Sequence, residues 1–357
     1  MVACPEGDEY TGYCKELSMH DVFSQYAIII PPGKTLGGTA IPAYRSITEA
    51  LEEGHTRIFL SPGIYREKLF IGYDNVQLIG SNAGNTMVVW DDAHRTMGPD
   101  GKKLSTSGSA SVTVTGRNFR ASGVTFANDF DYPLYSQEGP DSSSHSGLQA
   151  VAVRVGGNAD NTVFQDCIFS GYQDTLFLDA GTARVKNCTI SGHVDFIFGR
   201  SEAVFEDCTI ICRYRDTTDE MGFICAPSTH KTSQFGFLFL HCNIKKESKK
   251  VIPGSYWLGR PWHPSGDVDT YSSACFYECS MDGHIKEEGW TSMHSKTPDG
   301  IERRWYPEES RFSEYGTTGR GAPKGKIGTR PILDIRDATV WLQHPALKLS
   351  LLEKPTV

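Results

Sequence analysis

Three segments in the middle of the chain repeat one pattern: FQDCIFSGYQDTLF (164–177), VKNCTISGHVDFIFG (185–199) and VFEDCTIICRY (204–214). Their cysteines, Cys167, Cys188 and Cys208, are twenty-one and twenty residues apart. A period near twenty is the mark of a solenoid, in which each repeat buries its apolar face against the next. The β-type runs are too short, and the period too brief, for a crossover helix after every strand. A parallel β-helix therefore fits best, with equivalent residues stacked in ladders. Cys242 in LHCNI and Cys279 in YECSM read as later rungs with loops inserted between them. An antiparallel sandwich with a chance repeat is the alternative.

The rest of the chain agrees with an all-β solenoid. Arg57–Leu60, Val76–Ile79, Val112–Val114 and Val124–Phe126 are short β-type runs bounded by Gly, Asn, Asp or Ser. Abundant Gly (36) and Pro (18) suit turns rather than long helices. Ser46-Ile47-Thr48-Glu49 is a capping box that opens a short amphipathic helix ending at Gly54, suited to covering one end. Residues 331–348 carry helical spacing as far as Leu342 and are broken by Pro345, so a second helix caps the solenoid or lies along it. One domain is expected over 1–357, with a repeat core over about 25–290. Residues 291–357 are read as loops and a helix packed on that core, with 291–330 wandering over the surface. The segment 127–148 reads as a polar loop, and KKESKK (245–250) as a solvated one.

Several function classes are excluded. The net charge of -8 argues against nucleic acid as a partner. No run of eighteen apolar residues exists to cross a membrane. The ten cysteines form no paired C-x-x-C pattern and no histidines cluster with them, so no metal site is expected. They point instead to an oxidising compartment or to a stack of buried thiols. The N-terminus MVACPEGDEY lacks the features of a signal peptide. The chain is then either intracellular or a mature secreted protein with its leader removed, and the cysteines favour the second.

The chemistry concentrates in the repeat. Asp174 and Asp195 are twenty-one residues apart, one coil, which would stack two carboxylates at about 4.8 Å. Like charges that close separate into one ionised and one protonated group, an arrangement suited to acid–base work. Asp195 stands in the apolar run VDFIFG and needs a cationic partner. Arg260, fixed between Gly259 and Pro261, can supply it. Gln173 precedes Asp174, and Gln149 opens what reads as a strand, QAVAVRV. Their amides can donate to a developing oxyanion. Trp262 offers a flat face for a sugar ring.

At these residues the chain resembles the pectin methylesterase family, in particular its bacterial branch. The strings GIYREK (63–68), QAVAV (149–153), GYQDTLF (171–177), DFIFG (195–199) and LGRPW (258–262) occur in the family's order. NDFDYP (128–133), CRYRD (212–216), APSTH (226–230) and GRPWHP (259–264) are similar to the bacterial members. The resemblance implies a right-handed parallel β-helix with an open cleft, and ester hydrolysis without serine, metal or cofactor. It places Asp195 as nucleophile and Asp174 as general acid/base. Gln173 and Gln149 take the oxyanion positions, Arg260 orients Asp195, and Trp262 stacks on sugar. Thr106, Phe198, Arg215 and Ser265 match positions that line the substrate cleft.

The implied reaction is demethylation of the C6 ester of polygalacturonate, by a secreted monomer whose partner is pectin. His193 departs from the family's usual Thr, and reads either as a residue that tunes pH dependence or substrate contacts, or as an inert rim residue. The resemblance also implies a Cys188–Cys208 disulfide, with Cys4–Cys14 and Cys212–Cys225 as candidate local bridges. Three other readings stay open. One is a lyase or glycoside hydrolase on the same scaffold, another a family esterase or thioesterase for non-pectic acyl groups, and the third a non-catalytic pectin-binding β-helix.

Overall fold

The computed structural model describes residues 26–30, 43–136, 147–217, 219–325 and 328–352. Within them the chain coils through three parallel sheets of eleven, eight and seven strands. One full coil runs through Thr162–Gln165, Ile168–Ser170 and Leu176–Leu178; the next runs through Thr182–Lys186, Thr189–Gly192 and Val194–Gly199. The two are in register on all three walls, with Phe164 opposite Val185, Phe169 opposite Ile190 and Leu176 opposite Ile197. This is a parallel β-helix. The expected strands at Arg57–Leu60 and Val112–Val114 form as read. Val76 and Val124 instead fill the corners just before Gln77–Gly80 and Thr125–Asn128, fully buried.

One corner of the coil is constant. From Ser122 onward, two residues link each strand of the largest sheet to the next strand of the eight-stranded sheet, as in Gln165 to Ile168 and Leu240 to Asn243. The first of the two is in the left-handed region: Gly123, Asp166, Asn187, Asp207, His241 and Glu278 all have φ between 48° and 66°. The second points into the core, and from Asp166 onward it is always a cysteine: 167, 188, 208, 242 and 279. Short polar side chains tolerate this backbone well, and stacked ones link the coils: Asn187 donates to the Asp166 carboxylate one coil away at 2.5 Å.

The cysteine ladder is present, but the expected Cys188–Cys208 and Cys212–Cys225 bridges are not; all four are free thiols. Each inner ladder thiol, Cys188, Cys208 and Cys242, has an equivalent neighbour above and below, so no pair is singled out. Each thiol donates to a backbone carbonyl instead, Cys188 to Lys186 at 3.2 Å and Cys208 to Val185 at 3.3 Å. Cys212 and Cys225 sit on different walls of the coil. Cys4 and Cys14 lie outside the described residues.

Phenylalanines fill the interior in the same stacked manner. Phe205, Phe239 and Phe276 lie ring on ring, 4.7 and 4.3 Å apart and nearly parallel. Fully burying each such side chain is worth about 1.5–3 kcal/mol. The helix Ile47–Glu52 begins as read, with Ser46 Oγ accepting from Glu49 N, and buries Ile47, Ala50 and Leu51 in the main core. Glu67 completes its N-terminus by accepting from Ile47 N and Thr48 N.

The C-terminal helix, Ile335–Trp341, starts at the Asp334 cap, later than its apolar spacing suggested. It lies along the solenoid, packing Ala338, together with Ala346 of the following 3₁₀ turn Pro345–Lys348, against Val204, Leu238 and Tyr277 of the largest sheet. The segment 291–330 does not simply wander. It forms an antiparallel hairpin, Met293–Lys296 with Glu302–Trp305, and then a last rung, Arg311–Tyr315, beyond residue 290. Arg330 locks that rung by pairing, fully buried, with Glu314. KKESKK splits, with Lys245 and Lys246 ending a strand and the rest in an exposed turn. Among the described residues no helix is long and apolar enough to cross a membrane.

Candidate active site

The seven-stranded sheet presents two aspartates side by side. Leu176 pairs with Ile197, which brings Asp174 opposite Asp195, and Asp174 N donates to Val194 O at 3.0 Å. Strict alternation would turn both carboxylates inward, because Leu176 and Ile197, two residues on, face the core. Two local distortions prevent this. Asp174 and Asp195 both adopt the left-handed region, with φ 66° and 49°. The strand Val194–Gly199 also carries one extra residue against Gly222–Pro227, since Val194 faces Phe223 while Ile197 faces Cys225. A bulge of this kind re-aims a side chain. Phe196 and Ile197 then both point inward, while Asp195 and Phe198 point out.

Arg260 reaches Asp195 from two rungs further on. It follows the strand Tyr256–Gly259, whose final glycine lets the coils close: a Cβ there would lie 2.5 Å from Cys225 O. Its Nε donates to Asp195 Oδ1 at 2.9 Å and its Nη2 to Oδ2 at 2.6 Å. The guanidinium lies 3.8 Å over the Phe223 ring. Burial disfavours the Arg260 cation, but the Asp195 charge and hydrogen bonds outweigh it and raise its pKa.

The two carboxyls therefore differ. Both are 7 % exposed, yet both guanidinium hydrogen bonds go to Asp195. Burial, and then the Asp195 charge, push the Asp174 carboxyl well above the ordinary carboxylate range, with Arg260 opposing. A carboxyl biased toward its protonated form thus sits beside one clamped by a guanidinium.

A cleft of about 420 Å³ opens over the pair. Of the residues singled out in the sequence, Asp174, Asp195, Gln149, Gln173, Arg260, Trp262, Thr106 and Phe198 line it, whereas Arg215 and Ser265 do not. Ser265 is exposed on a short 3₁₀ turn, and Arg215 lies on the chain leaving the eight-stranded sheet. Gln149 is not in a strand; it sits in the extended segment before Val153–Val155, where its carbonyl accepts from His94 N. Among the described residues neither glutamine amide bonds to the protein, and Gln149 Oε1 is buried without a partner.

The cleft also contains Phe177, Ala226, His94, Ser105, Ser107 and Met293, which the sequence reading missed. Phe177 was findable, lying twenty-one residues before its register partner Phe198; Ala226, the partner on the next rung, follows an insertion that hides the register. Phe177 stacks on Phe198 at 4.2 Å, and Trp262 meets both rings edge-on. The others come from inserted segments with no repeat to mark them.

His193 is not a rim residue. It is fully buried, packed against the rings of Tyr132 (4.2 Å) and Tyr172 (5.5 Å), and neither ring nitrogen has a hydrogen-bond partner. Burial, then the charges of Arg215 and Arg213, hold its pKa well below the usual imidazole value.

The family model described as Pectinesterase matches residues 38–330. Pectinesterase A of Dickeya dadantii (strain 3937) is 36% identical over 281 residues, 75% of this chain and 76% of that protein. The solved structure of pectin methylesterase PemA from Erwinia chrysanthemi superposes with a TM-score of 0.82 at 32% identity, covering 92% of this chain and 98% of that one. A pectin methylesterase in complex with a hexasaccharide gives 0.83 at 32% identity, covering 93% and 98%. By sequence, coil register and site alike, this chain belongs to the pectinesterase family.

Proposed function

We propose that this protein is a pectin methylesterase working through an aspartyl acyl-enzyme. The observation that carries this reading is the unequal pair: Asp195 held by two hydrogen bonds from Arg260, and Asp174 beside it with its pKa raised. Asp195 attacks the methyl-ester carbonyl carbon at C6 of a galacturonate. The amides of Gln149 and Gln173 donate to the oxyanion, a contribution of about 3 kcal/mol for one such donor. Asp174 gives its proton to the departing methoxide, releasing methanol. Now ionised, Asp174 takes a proton from water, which attacks the acyl-enzyme; the free acid leaves and Asp195 is regenerated. Trp262 and Phe198 offer the apolar wall on which sugar rings rest.

The substrate is methyl-esterified homogalacturonan, met outside the cell by a secreted, monomeric enzyme. The family membership and the cleft support this. The test is methanol release from highly methylated pectin, with and without EDTA. Methanol without chain shortening, undiminished by chelator, is expected. Chain cleavage, or activity lost to EDTA and restored by calcium, would replace this reading with a lyase-type one.

A further inference from the structure

The outward face of the seven-stranded sheet carries more than the cleft. One column of side chains runs along it in unbroken register: Phe70, Thr113, Arg154, Phe177, Phe198. Its last two members are the stacked rings of the cleft wall. Its first member, Phe70, is 67 % exposed, although its strand neighbours Leu69 and Ile71 are buried. From Phe70 to Phe198 the column spans four rungs of about 4.8 Å, or about 19 Å.

Two glycines shape this track. Gly72 lies two residues after Phe70 on the same face, and a Cβ there would come 3.0 Å from the phenyl ring. Gly156 stands in the same relation to Arg154, where a Cβ would come 2.8 Å from the guanidinium. Each flat group thus rests against bare backbone. Arg154 is further seated 5.6 Å from the Phe177 ring and pairs with Asp179 at 3.3 Å. Asp179 also pairs with Arg200 at 3.2 Å, so two cations share one carboxylate and the local charge stays positive. Arg154 Nε makes no hydrogen bond.

We infer that this column is a distal subsite that takes a galacturonan stretch bearing free carboxylates, with a sugar ring on Phe70 and a carboxylate at Arg154, continuous with the chain held in the cleft. The inference rests on the pectin methylesterase reading. Its occupant follows from three features: the register shared with the cleft wall, the alternation of aromatic and cationic groups that a polymer of sugar acids would match, and the net positive charge. A polymer several residues long spans Phe70 and Asp195 together; a short oligomer held in the cleft does not reach Phe70.

The test compares Phe70→Ala with the unaltered enzyme on short and long methylated oligogalacturonates. KM for the long substrate is expected to rise about three- to tenfold, the loss of one aromatic contact, with kcat unchanged and the short substrate unaffected. Arg154→Gln is expected to weaken binding of a long de-esterified oligogalacturonate, measured by calorimetry, by a similar factor. An unchanged KM for the long substrate overturns the inference, and so does an equal rise for the short one. The calorimetric measurement needs no turnover. If the unaltered protein releases no methanol, the esterase reading fails while the track is still tested by its isotherm.

Discussion

Arg260 and Asp195 are sixty-five residues apart in the chain and two rungs apart in the coil, yet they meet through two parallel hydrogen bonds of 2.9 and 2.6 Å. A guanidinium bound this way fixes both the charge and the plane of the carboxylate. Arg260→Ala is therefore expected to lower kcat by at least about a hundredfold, since removing one partner of a buried pair costs about 3–5 kcal/mol. KM should move little. Steady-state kinetics on methylated pectin decide the matter; a raised KM with kcat intact would make Arg260 a substrate-binding residue instead.

Asp195→Asn keeps the shape and removes the nucleophile. Turnover should fall by on the order of a thousandfold or more, while circular dichroism and thermal unfolding remain those of a folded β-helix. A variant retaining a tenth of the original rate would take Asp195 out of this role.

Asp174 links activity to pH. Its folded pKa is raised, so its protonated form dominates to higher pH than in the unfolded chain. The folded state then binds a proton the unfolded state lacks, and stability falls as pH rises from the unfolded value, near 3.8, through the raised folded one. Asp174→Asn should abolish turnover and yet raise Tm at neutral pH, by roughly 2 °C or more. In the unaltered enzyme kcat should decline as pH rises through the raised Asp174 value and the acid loses its proton. A Tm lowered by the substitution would contradict this account of its burial.

His193 acts on the acid side with the opposite sign. Its folded pKa lies well below the ordinary imidazole value of 6.5, so below pH 6.5 the unfolded chain takes up protons that the folded state refuses. His284 and His344, both pushed down to about 4 by burial, add to the same trend. Stability should fall as pH drops below 6.5. His193→Phe, which keeps the contacts with Tyr132 and Tyr172, should flatten that loss. Denaturant unfolding at pH 7 and pH 5 measures the difference, and an unchanged slope would sink the assignment.

What could be read from the sequence was what repeats. The cysteine spacing gave the coil, and the same offset of twenty-one residues placed Asp174 against Asp195. The capping box marked the first helix because its signal is local. Phe177 went unnoticed although it precedes Phe198 by that same offset. Contributions from inserted segments carried no such signal. Ser105 and Ser107 reach the cleft from an inserted helical turn and Met293 from an inserted hairpin, while Arg215 and Ser265, also on inserted segments, do not. The rung Arg311–Tyr315 was hidden because a charged hairpin separates it from the repeat. The expected Cys188–Cys208 disulfide failed for a different reason: stacking places two thiols side by side but does not choose between bonding to each other and donating to carbonyls.

The two-residue corner before each strand of the eight-stranded sheet from Thr125 onward divides the chain into places where length matters and places where it does not. One residue added between Glu206 and Thr209 would swing Cys208 from the interior to solvent and shift every later side chain on that wall by one step. Between Cys212 and Gly222, and between Pro227 and Phe237, the chain carries nine residues where the preceding coil carries one, between Gly192 and Val194, and two, between Gly199 and Glu202. Descendants of such a protein can therefore acquire taller or lower walls around the aspartates by lengthening those connections, while the spacing of the carboxylates is inherited unchanged.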